Sequence, residues 1–270
     1  MKELKRQKVF VAMSGGVDSS MSAALLKKAG FEAIGVFMKL WPEKYFNKAV
    51  QLRVKRIASH LGIPFLVFDF KSEFKRKIVE YFLKEYQRGR TPNPCVKCNK
   101  EMKFGLFFKK AMALKADFVA TGHYVRKKEL QESNRKVYKL LRARDKEKDQ
   151  SYFLYNLTQK KLKKILFPVG DYKKSKVEKL AEDFKMKKLI RPISQDLCFI
   201  KSSQQKFLKK YLKLKPGPIF DSSGKKIGQH QGLPLYTIGQ RKEIRIPGLA
   251  PYYVAKLDFK KNALFVTNQK

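Results

Sequence analysis

Cysteine is scarce and odd in number. Three residues in a chain of 270 cannot make a complete disulfide framework, which moves attention to thiol chemistry or metal binding. No stretch approaches the ~18 apolar residues of a membrane-spanning helix. The first apolar run, Val9–Met13, is too short for the core of a signal peptide and ends in Ser14-Gly15-Gly16 rather than a cleavage site. Internal repeats and low-complexity tracts are lacking. Acid is also scarce: 23 Asp plus Glu stand against 62 Lys plus Arg, a formal charge of +39. What is present is ample core material. A hydrophobic fraction of 43%, with 13% aromatics, excludes wholesale disorder. The expectation is a soluble cytoplasmic protein with no membrane partner, built as one large domain with a small one.

The charge suits a polyanion such as nucleic acid, bound through phosphate neutralisation and counterion release. Lys greatly outnumbers Arg, and the basic residues are spread along the chain. A general drift toward lysine would give the same total, so charge alone favours nucleic acid only modestly.

Hydrophobic patterning predicts strands at Val9–Met13, Ala33–Met38, Phe65–Phe70 and Asp117–Ala120. It predicts helices at Val17–Ala29, Ala49–Leu61, Glu73–Tyr86 and Lys100–Leu114. Strand and helix alternate with short connections, the mark of a doubly wound α/β domain with a mostly parallel sheet. Tyr124–Val125 and Val137–Leu141 read as a surface hairpin, and Asp149–Leu157, Gln159–Leu166 and Ser175–Phe184 as helical. From Pro216 onward the chain is rich in Gly and Pro. Short extended runs at 218–220, 226–228, 235–238, 252–257 and 263–266 predict a small all-β domain. The boundary is placed within Ser202–Lys215, giving domains of 1–202 and 203–270.

The strongest single motif is Ser14-Gly15-Gly16-Val17-Asp18-Ser19-Ser20, directly after a strand and before a helix. A helix N-terminus offers unpaired N–H groups and a positive dipole end to an anion. Two glycines admit close approach by phosphate, and the serines add hydroxyls. Asp18 would repel phosphate unless a cation lay between them, so Mg²⁺ is inferred there. The loop lacks the Gly-Lys-Ser/Thr of a Walker A motif. It resembles the pyrophosphate loop of the ATP-pyrophosphatase superfamily, whose members split ATP between the α and β phosphates and adenylate a carbonyl oxygen. That resemblance implies a sheet of the adenine nucleotide alpha hydrolase-like type.

Further motifs follow in order: Asn93-Pro94-Cys95-Val96-Lys97-Cys98-Asn99-Lys100, Thr121-Gly122-His123-Tyr124, Lys148-Asp149-Gln150-Ser151-Tyr152, Ser194-Gln195-Asp196-Leu197-Cys198-Phe199 and Tyr236-Thr237-Ile238-Gly239-Gln240-Arg241. Together they resemble the bacterial and organellar tRNA-uridine 2-sulfurtransferases over nearly the whole chain. The resemblance implies a catalytic nucleophile at Cys98 and a persulfide at Cys198, with a possible disulfide between them. It implies ATP contacts at Ala12, Met13, Ser14, Gly15, Gly16, Val17, Asp18, Ser19, Met38 and Gly122. It implies tRNA contacts at Asn93, Pro94, Cys95, His123, Lys148, Asp149 and Gln150. Pro92 and Pro94 stiffen the base-contacting loop.

Thiolation needs a persulfide carrier and, for release of its sulfur, a second thiol. Cys98 near a helix start, beside Lys97 and Lys100, suits a lowered thiol pKa. Cys198, between Leu197 and Phe199, would by itself read as a buried small apolar residue. Cys95 departs from the family pattern, which has Asp there facing the target base. With Cys98 and Cys198 it makes three thiols, which could instead hold a [4Fe–4S] cluster with one open iron. The direct persulfide route ranks first.

The implied reaction is ATP-dependent 2-thiolation of the wobble uridine of tRNA. ATP adenylates O2, persulfide sulfur replaces AMP at C2, and Cys98 forms a disulfide with Cys198 or frees sulfide. The implied partners are tRNA and a persulfide donor protein, with the enzyme a monomer. The family's C-terminal β-barrel is expected to be absent from this chain. Two other readings stay open: a small-molecule ATP pyrophosphatase or synthetase without RNA, and a tRNA-binding protein without catalysis.

Overall fold

The structure is a computed structural model and describes residues 6–41, 44–132, 135–190, 197–200, 203–241, 244, 246 and 251–269. Its elements in chain order begin with β1 (Lys8–Ala12), α1 (Val17–Lys28), β2 (Glu32–Lys39), α2 (Lys44–His60), β3 (Phe65–Asp69), α3 (Lys71–Phe74) and α4 (Glu80–Gln87). Then come α5 (Pro94–Cys98), α6 (Phe108–Ala113), β4 (Phe118–Thr121), β5 (Val125–Glu132), β6 (Arg135–Arg142), α7 (Gln159–Leu162), β7 (Ile165–Leu166) and α8 (Lys174–Asp183). The last are α9 (Gln204–Tyr211), β8 (Gly217–Phe220), β9 (Lys226–His230), β10 (Tyr253–Asp258) and β11 (Ala263–Thr267). Wider π-helical turns at Lys75–Val79 and Asn99–Phe107 join α3 to α4 and α5 to α6. The chain divides into two compact units, Met1–Lys77 with Cys95–Ser194, and Ile78–Pro94 with Gln195–Lys270.

In the first unit the described residues form a five-stranded sheet in the order β3-β2-β1-β4-β7, every pairing parallel. A parallel sheet covered on both faces needs nearly continuous apolar strands, and β1 obeys, with Val9, Phe10, Val11 and Ala12 all buried. Helix α1 joins the same core through Met21, Ala23, Ala24 and Leu26, and α2 through Val50, Val54, Ile57 and Ala58. Strand order reverses about β1, which lies between β2 and β4. Open α/β sheets bind ligands at such a switch point, beyond the carboxyl ends of the strands. Both predictions for the N-terminal half, the alternation of elements and the parallel sheet, hold.

Several predicted elements differ. The helix expected over Gln159–Leu166 stops at Leu162, and Ile165–Leu166 instead pair with Val119 and Ala120 as the sheet's edge strand. Lys127 Nζ donates to the carbonyls of Leu162 and Ile165, so a cation covers the end of that short edge. The hairpin extends far beyond the apolar residues that announced it, because β5 and β6 pair along their whole lengths. The segment Asp149–Leu157 makes a 3₁₀ turn at Ser151–Leu154 rather than a longer helix.

In the second unit the described strands form a four-stranded sheet, β10-β11-β8-β9. The extended run expected over Leu235–Ile238 is displaced by a 3₁₀ turn at Leu233–Leu235, where Pro234 supplies no N–H for a ladder. The stretch read as a boundary holds α9, capped by the Ser203 side chain accepting from the Lys206 amide. Phe82 on α4 packs edge-on against Tyr86, Phe199 and Phe207, with ring centroids 4.9, 5.4 and 6.1 Å away. That aromatic cluster is why Ile78–Pro94 belongs to this unit.

Candidate active site

The motif that follows β1 sits at the switch point. Met13 still pairs with β2, donating its amide to the Val36 carbonyl at 2.8 Å. Its side chain is buried, and Gly35 makes room for it, since a Cβ there would lie 2.8 Å from the Met13 sulfur. The chain then turns through Gly15 at φ +81°, a left-handed conformation that favours glycine. Gly16 is the N-cap of α1 and provides no side-chain cap. The Gly16 amide donates to the Ser14 hydroxyl at 3.4 Å, and no side chain of the N-cap residue closes the first turn of α1, the kind of helix start that suits an anion. Ser14 is exposed, and its hydroxyl lies 3.2 Å from that of Ser19. Ser20 does not face the loop opening. Its buried hydroxyl donates to the Gly16 carbonyl at 2.8 Å.

Thr121, the last residue of β4, pairs with Ala12. Gly122 thus lies beside the loop, and a Cβ there would stand 2.6 Å from the Ser19 nitrogen. What this glycine admits is the first turn of α1 itself. Met38, half-buried near the end of β2, lies at the same edge of the sheet.

Asp18 holds partners that patterning could not show. Tyr124 donates its hydroxyl to Asp18 Oδ1 at 2.7 Å, and the Lys174 ammonium lies 2.6 Å from the same oxygen. Burial, then the Asp18 carboxylate, push the Tyr124 phenol far up, so it stays a donor. The Lys174 amide in turn donates to Asp145 Oδ2. A cation therefore already faces Asp18, by way of α8, 156 residues away in sequence. The signal available was Lys174 directly after a Gly-Asp-Tyr-Lys turn, too common a pattern to single out.

The cysteine segment differs from its expected form in one respect. The helix begins at Pro94, a residue suited to a first helical turn, not at Lys100. Cys95 therefore lies nearest the N-terminus, and Cys98 a turn inside, buried. Burial pushes the Cys95 thiol up, and the Lys103 ammonium draws it back only in part. Asn93 is exposed and Pro94 buried. Lys103 was not singled out from the sequence, although it lies within the cysteine motif. Its Nζ donates to His123 Nε2 at 3.3 Å, which leaves Nδ1 to donate to Thr121 Oγ1 at 2.7 Å. His123 is thus buried and doubly engaged, with Phe104 and Phe167 against its ring. Through Thr121, His123 and Lys103, the end of β4 is joined to the cysteine-bearing helix.

Burial first, and Lys103 second, hold His123 well below the usual imidazole range. The unfolded chain takes up a proton near pH 6.5 that the folded site refuses. Stability is therefore expected to fall as pH drops below about 6.5, by at most about 1.4 kcal/mol per pH unit from this group. His123→Gln should flatten that part of the curve in denaturant titrations between pH 7 and 5.

Asp149 accepts from the Ala143 amide and the Ser151 hydroxyl at 2.7 and 2.6 Å. Gln150 Oε1 accepts from the Tyr124 amide at 3.0 Å, and the Gln150 amide donates to the Tyr124 carbonyl. Both side chains hold the turn together, and Lys148 is exposed beside them. Cys198 is exposed on a turn, while its neighbours Phe199 and Ile200 are buried. The burial that its apolar neighbours alone would suggest does not occur, because Phe199 anchors the turn in the Phe82 cluster and leaves position 198 outward. Ser194, Gln195 and Asp196 of that motif, and Lys242 at the end of the Tyr236–Arg241 segment, lie outside the described residues. Among the described residues no three His, Cys, Asp or Glu side chains are grouped as metal ligands, and no helix is long and apolar enough to cross a membrane.

Comparison with known proteins gives two family matches. The tRNA methyl transferase HUP domain matches residues 7–202, and the tRNA methyl transferase PRC-barrel domain matches residues 205–268. Among curated relatives, the tRNA-specific 2-thiouridylase MnmA of Roseiflexus castenholzii is 45% identical, over 96% of this chain and 76% of its own. The protein of the same name from Carboxydothermus hydrogenoformans is 43% identical, over 98% and 76%. That from Moorella thermoacetica is 44% identical, over 97% and 76%.

Proposed function

The chain belongs to the tRNA-specific 2-thiouridylase family, and from that premise we propose that it catalyses ATP-dependent 2-thiolation of the wobble uridine, position 34, of tRNA. The observation that carries this reading is the junction described above. An uncapped helix N-terminus after Gly15-Gly16 and a cysteine-bearing helix meet at one edge of the sheet, joined through Thr121, His123 and Lys103. We assign residues 1–202 to catalysis and 203–270 to the small β domain.

ATP is held with its phosphates at the first turn of α1, and the exposed Ser14 hydroxyl adds a donor, while the Ser19 hydroxyl donates to the Gly16 carbonyl and shapes the loop. Uridine O2 attacks the α phosphorus, and the bond to the bridging oxygen breaks with loss of pyrophosphate. The loop amides stabilise the charge that gathers on the leaving group. Asp18 offers one hard carboxylate ligand of the kind Mg²⁺ takes, although its Oδ1 already carries the Lys174 ammonium and the Tyr124 hydroxyl. Asp18 would hold Mg²⁺ there, and the ion would supply charge neutralisation for the phosphates. The terminal sulfur of a Cys198 persulfide then attacks C2, and the C2–O2 bond breaks to release AMP. Cys98 attacks Sγ of Cys198, the S–S electrons pass to the departing sulfur, and 2-thiouridine is freed. The two cysteines are left as a disulfide that an external thiol must reduce.

The exposure of Cys198 supports charging by a separate persulfide donor protein. Cys95 and Cys98 lie one helical turn apart, and no step here passes through an iron–sulfur cluster. The base must leave its stack to reach the site, as in other base-modifying enzymes. The test is mass analysis of tRNA nucleosides after incubation with ATP, Mg²⁺ and a persulfide source. We expect 2-thiouridine, with pyrophosphate and AMP formed in equal amounts. Pyrophosphate release that is indifferent to RNA, with no thiolated nucleoside, favours the small-molecule reading.

A further inference from the structure

We propose that Tyr152 and Tyr155 form a stacking platform for two unpaired bases of the RNA loop that delivers the target uridine. This rests on the tRNA reading above. Both rings are 67% exposed, whereas Leu154 between them is buried. A 3₁₀ turn has about three residues per turn, so positions i and i+3 share a side. Leu154 anchors the turn, and the two tyrosines project together from it. Their centroids are 6.4 Å apart and the planes are tilted by 52°. Rings so inclined cannot clamp one flat base between them. They present two separate faces, suited to successive bases of a bent single strand.

The surroundings select the ligand. Arg142, Arg144, Lys146, Lys148 and Lys160 are all exposed on the flanking segments, a field that attracts phosphate. Stacking on an aromatic face, with cations along the backbone, is how single-stranded nucleic acid is held without reading sequence. The turn is also rigid before any ligand arrives, because Asp149 and Gln150 are bound to Ala143, Ser151 and Tyr124. Tyr124 is the residue that donates to Asp18. The platform is thereby fixed relative to the phosphate loop within the same unit. In this arrangement Asp149 and Gln150 position the turn, and Lys148 and the tyrosines meet the RNA.

The test uses the full chain and an oligoribonucleotide copy of an anticodon stem-loop, with binding followed by fluorescence anisotropy. The Tyr152→Leu/Tyr155→Leu variant should bind about 30-fold or more weakly, from the known worth of base–aromatic stacking. Tyr152→Phe/Tyr155→Phe should stay within about twofold of the parent. The slope of log affinity against log salt should be unchanged in both, since no phosphate contact is lost. A double-leucine variant that binds like the parent overturns the platform, as does a double-phenylalanine variant equally weakened. Unchanged RNA binding together with lost docking of a persulfide donor protein would assign the patch to a protein instead. A parent chain that fails to bind the stem-loop at all strikes the tRNA reading itself.

Discussion

Asp18→Ala is expected to lower pyrophosphate release by about two to three orders of magnitude, the usual cost of removing one group that manages charge in the transition state. Affinity for tRNA should stay within about twofold. The carboxylate gathers a tyrosine hydroxyl and an ammonium on one oxygen, at 2.7 and 2.6 Å. Its loss leaves Lys174 without that partner and removes the only acid in the first turn of α1. Asp18→Asn keeps an acceptor for Tyr124 and so separates charge from packing. If charge is what matters, the Asn variant should fail nearly as badly as the Ala variant while melting close to the parent. Lys174→Met should also slow pyrophosphate release, since its ammonium is the cation that faces Asp18. Normal release by Asp18→Ala would end the assignment of this loop to ATP phosphates.

Loss of either Cys98 or Cys198 should abolish 2-thiouridine formation yet leave pyrophosphate release in the presence of tRNA. In the proposed order the thiols act after the uridine has been adenylated, so the two activities should part. Serine variants suit the test because they preserve size. Cys95 distinguishes the chemistries. Burial pushes its thiol up, with the Lys103 ammonium drawing it back, and the proposed exchange needs only Cys98 and Cys198. Cys95→Ser should therefore keep substantial thiolation. Loss of iron and activity together in that variant would instead assign the three thiols to a cluster. Anaerobic purification with iron analysis, run beside the nucleoside assay, measures both. Thiolation by a chain lacking both Cys98 and Cys198 would remove cysteine from the mechanism.

Much of this was legible in the linear chain. The parallel sheet announces itself because strands buried on both faces must be apolar almost throughout, as in Val9–Ala12. The phosphate loop is legible because two glycines and a helix start occupy consecutive positions. Side-chain partnerships formed across the fold were not. Nothing near Asp18 foretells Lys174 or Tyr124, which arrive from α8 and from the end of β4. Edge strand β7 escaped notice because two residues are too few to show a period. The flanking residues of Cys198 alone suggest burial, because local apolarity does not say which of two neighbours faces inward, and only the family resemblance points to an accessible thiol. Phe199 takes the inward place, and Cys198 is left outside.

The order of strands also dictates an order of events in time. β1 and β2 are close in sequence and can pair early, but β1 must wait for β4, as Val9 pairs with Phe118 and Ala12 with Thr121. On the ribosome, at about 5–20 residues per second, the Ser14–Ser19 loop emerges several seconds before Gly122, against which its helix rests. Parallel pairings between distant segments close slowly because the chain entropy is lost before the contacts reward it. A nascent chain thus carries its most recognisable motif long before that motif has a shape, and acquires a nucleotide site only once the central strand has neighbours on both sides.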